Sequence, residues 1–169
     1  MKIAFSGPMG SGKTYLKDFL KNEFPQKFYT LSFSEYIYKI AIDLFQMQEK
    51  DRGLLIKIGK ALTNIDKDVF INYTMNQVKE HEHIIIDDAR LPNEFIALKE
   101  NGFLIIQLNI SETLQIQRLR QKYGETYQKH LEYKKDITEQ MKGLIQPDLV
   151  LHVDNNEMKQ QLLDFINCN

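Results

Sequence analysis

The sequence predicts an α/β fold in which a parallel sheet lies between two layers of helices. The first indication is a set of five short apolar runs, separated by stretches with helical spacing of apolar residues. The second is that the third and fourth runs are almost continuously aliphatic, which is typical of parallel strands buried on both faces. The third is the regular alternation of runs and helical stretches along 169 residues, the pattern of a chain that builds a parallel sheet.

Each predicted element follows from one run or from one helical spacing. The strands are predicted at 2–6, 28–33, 83–87, 103–109 and 148–153. The helices are predicted at 13–23, 34–47, 51–61, 67–81, 91–100, 112–122 and 156–167. Residues 123–146 contain many Lys and Tyr but no apolar strand, so we expect either a lid or a pair of long surface helices there. With no repeat or linker in the sequence, we expect a single domain over residues 1–169.

The composition narrows the classes of partner. Hydrophobic residues make up 43% and charged residues 27% of the chain, as in an ordinary globular protein, and the net charge is −1. This balance gives no overall attraction to nucleic acid or to an acidic membrane, so an anionic ligand has to be bound by a local basic site. The single cysteine, Cys168, excludes a disulfide within the chain, and no run approaches about 18 apolar residues. We therefore expect a cytoplasmic protein that binds neither nucleic acid nor a membrane.

The stretch FSGPMGSGKTYL, Phe5 to Leu16, contains a phosphate-binding motif. Its residues 7–14 match G-x-x-x-x-G-K-[ST] in full, and they lie between a predicted strand and a predicted helix, as a P-loop does. The glycines let successive backbone N–H groups point inward, where they form an anion site together with the helix N-terminus. We expect Lys13 to bridge the β- and γ-phosphates of ATP and the Thr14 hydroxyl to ligate Mg²⁺. The predicted nucleotide-binding residues are Gly7, Gly10, Ser11, Gly12, Lys13 and Thr14.

Acidic and basic residues that suit phosphoryl transfer follow the third predicted strand and end the helix predicted at 112–122. Asp87 and Asp88 come directly after the isoleucine strand, and one of them is expected to serve Mg²⁺ or to orient an acceptor; the alternative is that they cap the next helix. Arg90 is expected to face the same crevice beyond the strand ends. Arg118 and Arg120, at the end of the helix that precedes the polar stretch, are candidates to stabilise the transferred phosphoryl group. An ordinary solvated, basic helix end is the alternative for this pair.

In this combination the chain resembles the phage-type deoxynucleoside monophosphate kinases, within the wider nucleoside monophosphate kinase superfamily. The resemblance spans nearly the whole chain, and the segment D-x-R-x-P-N-E after an isoleucine strand is its most specific element. The matching segments are GPMGSGKT (7–14), SFSEYIYK (32–39), RGLLIKIG (52–59), DKDVFI (66–71), DDARLPNE (87–94), RLR (118–120), DITE (136–139) and DLVLHVDNN (148–156).

The resemblance implies roles for residues near the strand ends and in the polar stretch. Asp88 and Arg90 match the acidic residue of the family's motif, which is expected to be catalytic, and its phosphate-binding arginine, and Glu94 supports them. The fold it implies is the three-layer P-loop NTPase fold, a five-stranded parallel sheet with helices on both faces. It also implies that the region around 121–146 is a mobile lid.

The resemblance further implies an acceptor-binding insertion at about 33–80. Within it, Phe33 and Lys39 would line the acceptor site, and Arg52 would reach the 5′-phosphate of the acceptor. From the residues alone, the two cations could equally be solvated surface charges, and Phe33 could belong to the core.

The predicted function is transfer of the γ-phosphoryl group of Mg·ATP to a deoxynucleoside monophosphate, a small-molecule acceptor, by a monomer or a homodimer. One alternative is another small-molecule P-loop kinase, such as one that acts on dephospho-coenzyme A. The other is a non-kinase P-loop ATPase that acts on a partner. The guanine-specifying sequence N-K-x-D is absent, which argues against a GTPase.

Overall fold

The computed structural model describes residues 1–25, 28–128 and 146–169, and it confirms the predicted parallel sheet. The five strands are β1 (Lys2–Ser6), β2 (Tyr29–Leu31), β3 (Ile84–Ile86), β4 (Phe103–Asn109) and β5 (Leu149–His152). The helices of the described chain are α1 (Lys13–Glu23), α2 (Glu35–Asp43), α3 (Arg52–Ile65), α4 (Val69–Val78), α5 (Pro92–Glu100), α6 (Glu112–Tyr123) and α7 (Met158–Cys168), with a short 3₁₀ turn at Gly124–Thr126.

The strand order is β2-β3-β1-β4-β5, and every neighbouring pair is parallel. β1 is therefore central, with Lys2 opposite Ile84 of β3 on one side and opposite Phe103 of β4 on the other. Because the strands are parallel, their carboxyl ends meet at one edge of the sheet, where ligands bind in open α/β folds. This edge receives the loop after β1 and the acidic residues after β3.

Two apolar cores, one on each face of the sheet, make the fold three-layered. Alternate residues of each strand point to opposite faces, so Ala4 belongs to one core while its neighbours Ile3 and Phe5 belong to the other. On the first face α4 and α5 cover the sheet, and on the second face α1 and α7 do so. The isoleucines of β3 are fully buried, as expected of a strand covered on both faces.

The helix boundaries differ from the prediction at the acceptor-binding insertion. The second helix ends at Asp43 rather than at 47, because Gln46 adopts a left-handed backbone with φ of 54°, which cannot continue an α-helix. The third helix runs on to Ile65, four residues beyond the predicted end, since nothing in the stretch after Ala61 breaks a helix.

Most of the predicted lid falls on residues 129–145, which lie outside the described residues. Within the described ranges, no helix is long and apolar enough to span a bilayer.

Candidate functional site

The loop between β1 and α1 has a backbone that requires glycine. Gly7 and Gly12 have φ of 142° and 96°, in the region that other residues rarely adopt. A Cβ atom on Gly7 would lie 2.7 Å from the carbonyl oxygen of Leu108, so the loop also packs too closely against β4 for a side chain. Ser11 is buried, and its N–H donates to the Pro8 carbonyl oxygen at 3.2 Å, which closes a turn within the loop. The chain then enters α1 directly, so the unpaired N–H groups of the first helical turn face the crevice at the sheet edge.

The ammonium group of Lys13 lies inside this loop. Its Nζ donates to the carbonyl oxygens of Gly7 at 2.7 Å and Pro8 at 3.1 Å. Burial, and secondly the positive charge of Arg90, lower the pKa of Lys13 to about 8, while Asp87 raises it. The side chain is thus still charged at neutral pH. It can exchange weak carbonyl acceptors for phosphate oxygens, which accept stronger hydrogen bonds from a cation.

The hydroxyl of Thr14 and the carboxylate of Asp87 lie next to each other at the start of α1. The Thr14 hydroxyl donates to Asp87 Oδ2 at 2.8 Å, although the two residues are 73 positions apart in the sequence. A hydroxyl and a carboxylate are hard oxygen ligands, and Mg²⁺ in nucleotide sites takes one or two protein oxygens together with water and phosphates. The chemistry of this pair therefore fits Mg²⁺. Lys17, which the sequence analysis missed, forms an ion pair with the same Oδ2 atom at 3.1 Å.

The carboxylate of Asp88 has different hydrogen-bond partners from that of Asp87. Its carboxylate accepts four hydrogen bonds from the turn that precedes α2: from the hydroxyls of Ser32 and Ser34, each at 2.7 Å, and from the N–H groups of Phe33 at 3.1 Å and Ser34 at 3.0 Å. These bonds tie the end of β3 to the start of the acceptor-binding insertion. With its oxygens engaged in this way, Asp88 fixes the position of that turn.

Arg90 and Glu94 belong to one short loop-and-helix unit after β3. The carboxylate of Glu94 accepts from the backbone N–H groups of Arg90 at 2.6 Å and Leu91 at 2.8 Å, and so fixes the loop that leads into α5. Burial raises the pKa of Glu94 to about 7, against the opposing effect of these two hydrogen bonds. The guanidinium of Arg90 is exposed and makes no hydrogen bond or ion pair with another described residue. It is nevertheless close enough to Lys13 to affect its pKa, so it offers an open cation at the crevice.

Helix α6 supports the loop from the other side through one face. Arg118 Nη1 donates to the carbonyl oxygen of Gly10 at 3.1 Å. Gln115, one turn earlier on the same face, is buried and donates to the carbonyl oxygen of Met9 at 2.6 Å. The sequence analysis predicted Arg118 but missed Gln115, which its spacing of three residues from Arg118 could have indicated.

Arg120 lies on the opposite side of α6. Its Nη2 donates to the Tyr127 hydroxyl at 2.8 Å, and its guanidinium lies 4.8 Å from the centre of that ring. It also lines an open hollow of about 500 Å³ on the outer face of the helix, with Glu112 and Gln117 among the other lining residues. Residues two positions apart in a helix point about 200° away from each other, so the structure does not bring Arg120 to the loop.

The residues predicted in the acceptor-binding insertion differ in their surroundings. Arg52, at the start of α3, lies 4.0 Å from Met9 Sδ and 5.8 Å from the ring centre of Tyr123, so its guanidinium lies between the loop and the end of α6. Lys39 is exposed, with its ammonium 5.5 Å from the ring centre of Tyr36. Phe33 is only 4% exposed and packs in the core formed with α4 and α5, which corresponds to the core alternative considered for it.

The chain is similar to one known protein family and to several solved structures. A family described as an AAA domain matches residues 3–142. No curated protein sequence matches the chain.

Among solved structures, a shikimate kinase from Bacteroides thetaiotaomicron is similar with a TM-score of 0.62 and 17% identity, over 99% of this chain and 98% of its own. Protein TT1252 from Thermus thermophilus has a TM-score of 0.68 and 14% identity, over 99% and 96% of the two chains. A gluconokinase from Sinorhizobium meliloti 1021 has a TM-score of 0.50 and 14% identity, over 99% and 91%. At these identities the similarity establishes the fold, a parallel α/β fold shared with small kinases.

Proposed function

The chain belongs to the AAA domain family, and we propose that it is an ATP-dependent kinase that phosphorylates a small molecule, specifically a deoxynucleoside monophosphate. The observation that carries the proposal is the convergence of cations on one glycine-rich loop. Lys13 lies inside the loop, Arg118 contacts it from α6, and the open guanidinium of Arg90 is close to Lys13 on the side of β3. Phosphoryl transfer needs positioned positive charge more than it needs a strong base.

The nucleotide would be held by the loop and by the first turn of α1. The N–H groups of this turn and the ammonium of Lys13 suit the β- and γ-phosphates of ATP, with the glycines of residues 7–14 providing close backbone approach. Thr14 and Asp87 would hold Mg²⁺, which neutralises phosphate charge when it is bound. Asp88 is then a positioning residue, since its carboxylate is already engaged by the turn before α2.

The acceptor would lie between the end of β3 and the insertion at about 33–80. A 5′-monophosphate carries up to two negative charges, which a guanidinium binds through two parallel hydrogen bonds. Arg90 offers such a group from the loop after β3, with its backbone held by Glu94. Arg52 is the second candidate, because it lies next to Met9 of the phosphate-binding loop. Lys39 would shape the outer part of the site, and Phe33 would support the site from the core beneath it.

The reaction is an in-line transfer between two phosphate groups. An oxygen of the acceptor monophosphate forms a bond to the γ-phosphorus of ATP while the bond from that phosphorus to the β–γ bridging oxygen breaks, which gives a deoxynucleoside diphosphate and ADP. The attacking oxygen needs no general base, because the second pKa of a phosphate monoester is about 6 and the group is already ionised at neutral pH. Lys13 and Arg118 stabilise the charge that develops on the transferred group and on the leaving oxygen.

Residues 1–169 would form one kinase domain. The lid expected around 121–146 falls mostly on residues outside the described part of the chain.

A coupled assay that follows ADP release tests this function. Mg·ATP is supplied with each common deoxy- and ribonucleoside 5′-monophosphate in turn, and with shikimate, gluconate and dephospho-coenzyme A as other acceptors. Stimulation by one or a few deoxynucleoside monophosphates, lost in Lys13→Ala, is the expected result. Stimulation by another acceptor would support a kinase but overturn the proposed substrate. Slow ADP release that does not depend on any acceptor would favour an ATPase that acts on a partner.

A further inference from the structure

Lys17 forms an ion pair beside the phosphate-binding loop. It lies on α1, three residues after Thr14, and its Nζ is 3.1 Å from Asp87 Oδ2, the same oxygen that accepts the Thr14 hydroxyl at 2.8 Å. The side chains of Lys17 and Asp87 are only 17% and 12% exposed, so water screens this ion pair less than it screens a surface pair. An ammonium group is therefore held at the oxygen that the proposed function gives to a divalent cation.

We infer that Lys17 weakens Mg²⁺ binding at Thr14 and Asp87 and so reduces the dependence of nucleotide binding on Mg²⁺. This inference rests on the proposed nucleotide-binding function. A cation bound through Asp87 Oδ2 and an ammonium at the same oxygen are like charges separated by a few ångströms in a partly buried site, and they repel each other. If the lysine moves away instead, it gives up its ion pair. In both cases the affinity for the metal falls.

The same charge acts in the opposite direction on nucleotide that binds without metal. Lys17 adds positive charge to a site that already holds Lys13, and this charge attracts phosphates. Lys17 thus strengthens metal-free binding and weakens the additional binding that Mg²⁺ contributes. Because coupling between two ligands is reciprocal, both effects appear in one quantity, the ratio of the nucleotide Kd without Mg²⁺ to the Kd with saturating Mg²⁺.

Isothermal titration of the full chain with ADP, once in EDTA and once in saturating Mg²⁺, measures this ratio. In Lys17→Met, which keeps the aliphatic part of the side chain but removes the charge, we expect the ratio to increase about tenfold, the effect of a few-ångström like-charge contact reduced by side-chain mobility. The matched control is Lys21→Met, one turn further along α1, where an exposed lysine is lost and the ratio should remain that of the wild type.

Two results would overturn the inference: an unchanged or smaller ratio in Lys17→Met, or an equal increase in Lys21→Met, which would indicate a general charge effect. If circular dichroism shows that Lys17→Met does not fold, Lys17→Gln replaces it in the same titrations, with the same expected increase. Failure of the wild-type protein to bind ADP in either condition is a different outcome, because it refutes the proposed function as well.

Discussion

Arg118 and Arg120 are two residues apart on α6, and replacing each by alanine separates a residue that contacts the phosphate-binding loop from one that does not. Arg118 donates to the Gly10 carbonyl oxygen at 3.1 Å, whereas Arg120 lies against Tyr127 on the outer side of the helix. We expect Arg118→Ala to lower kcat/KM for ATP by about ten- to a hundredfold, and Arg120→Ala to change it by less than about threefold.

The magnitude follows from the charge that is removed. A hydrogen bond to a charged group contributes about 1.5–3 kcal/mol, and about 1.36 kcal/mol corresponds to a tenfold change in rate. Arg118→Ala should leave the fold intact, because Gln115 still ties α6 to the Met9 carbonyl oxygen at 2.6 Å. The contact of Arg120 with the Tyr127 ring is an exposed cation–π pair, which lies away from the phosphate-binding loop.

The assay is steady-state ADP release with the acceptor at saturation, and thermal unfolding of both variants serves as the control for folding. Equal losses in the two variants, or a larger loss in Arg120→Ala, would refute the assignment of Arg118 as the residue that stabilises the transferred group. Such a result would transfer the proposed role at the phosphates to Arg120.

Three further predictions concern titration and positioning. Because the pKa of Glu94 is raised to about 7 in the folded state, the free energy of unfolding should fall by up to about 3 kcal/mol as the pH rises from 4.5 to 7. Urea unfolding measures this pH dependence, which Glu94→Gln should lack. If the variant keeps the same pH dependence, other groups cause it. Asp88→Asn replaces one of the two acceptor oxygens by an amide donor, which then faces at least one of the four donors, so we expect a loss of about 1–3 kcal/mol in stability and a higher acceptor KM, with the ADP Kd within about twofold of the wild type; a weakened ADP Kd with an unchanged acceptor KM would contradict this role. Since the pKa of Lys13 is lowered to about 8 and phosphate binding favours its charged form, the ADP Kd should increase about fivefold between pH 8 and 9; a constant Kd over this range would show that Lys13 does not bind phosphate.

The fold was predictable because its signals are local and repeated. The isoleucines at 84–86 form a run without a polar residue, which is typical of a strand covered on both faces, and they are fully buried. The loop at 7–14 has its own signature, in which the glycines are required by left-handed backbone at positions that the motif specifies. Boundaries were less predictable, as Gln46 illustrates, because no local rule anticipates a left-handed glutamine.

The pairing of side chains was predictable only where the spacing within one helix decides it. Spacing separates Arg118 from Arg120, because residues two positions apart in an α-helix point to opposite sides of it. It does not separate Asp87 from Asp88, because these adjacent carboxylates differ through partners 73 and 56 residues away, in α1 and in the turn before α2. The ion pair of Lys17 likewise depends on the parallel pairing that brings the ends of β1 and β3 together.

The most direct test of the central claim follows the phosphoryl group itself. The protein is incubated with Mg²⁺, ATP labelled with ³²P at the γ-position and a mixture of deoxynucleoside monophosphates, and the products are separated by chromatography, with Lys13→Ala as the control. The account predicts label in a deoxynucleoside diphosphate, and none there with Lys13→Ala. Label that appears only as inorganic phosphate would contradict the account and identify the protein as an ATPase.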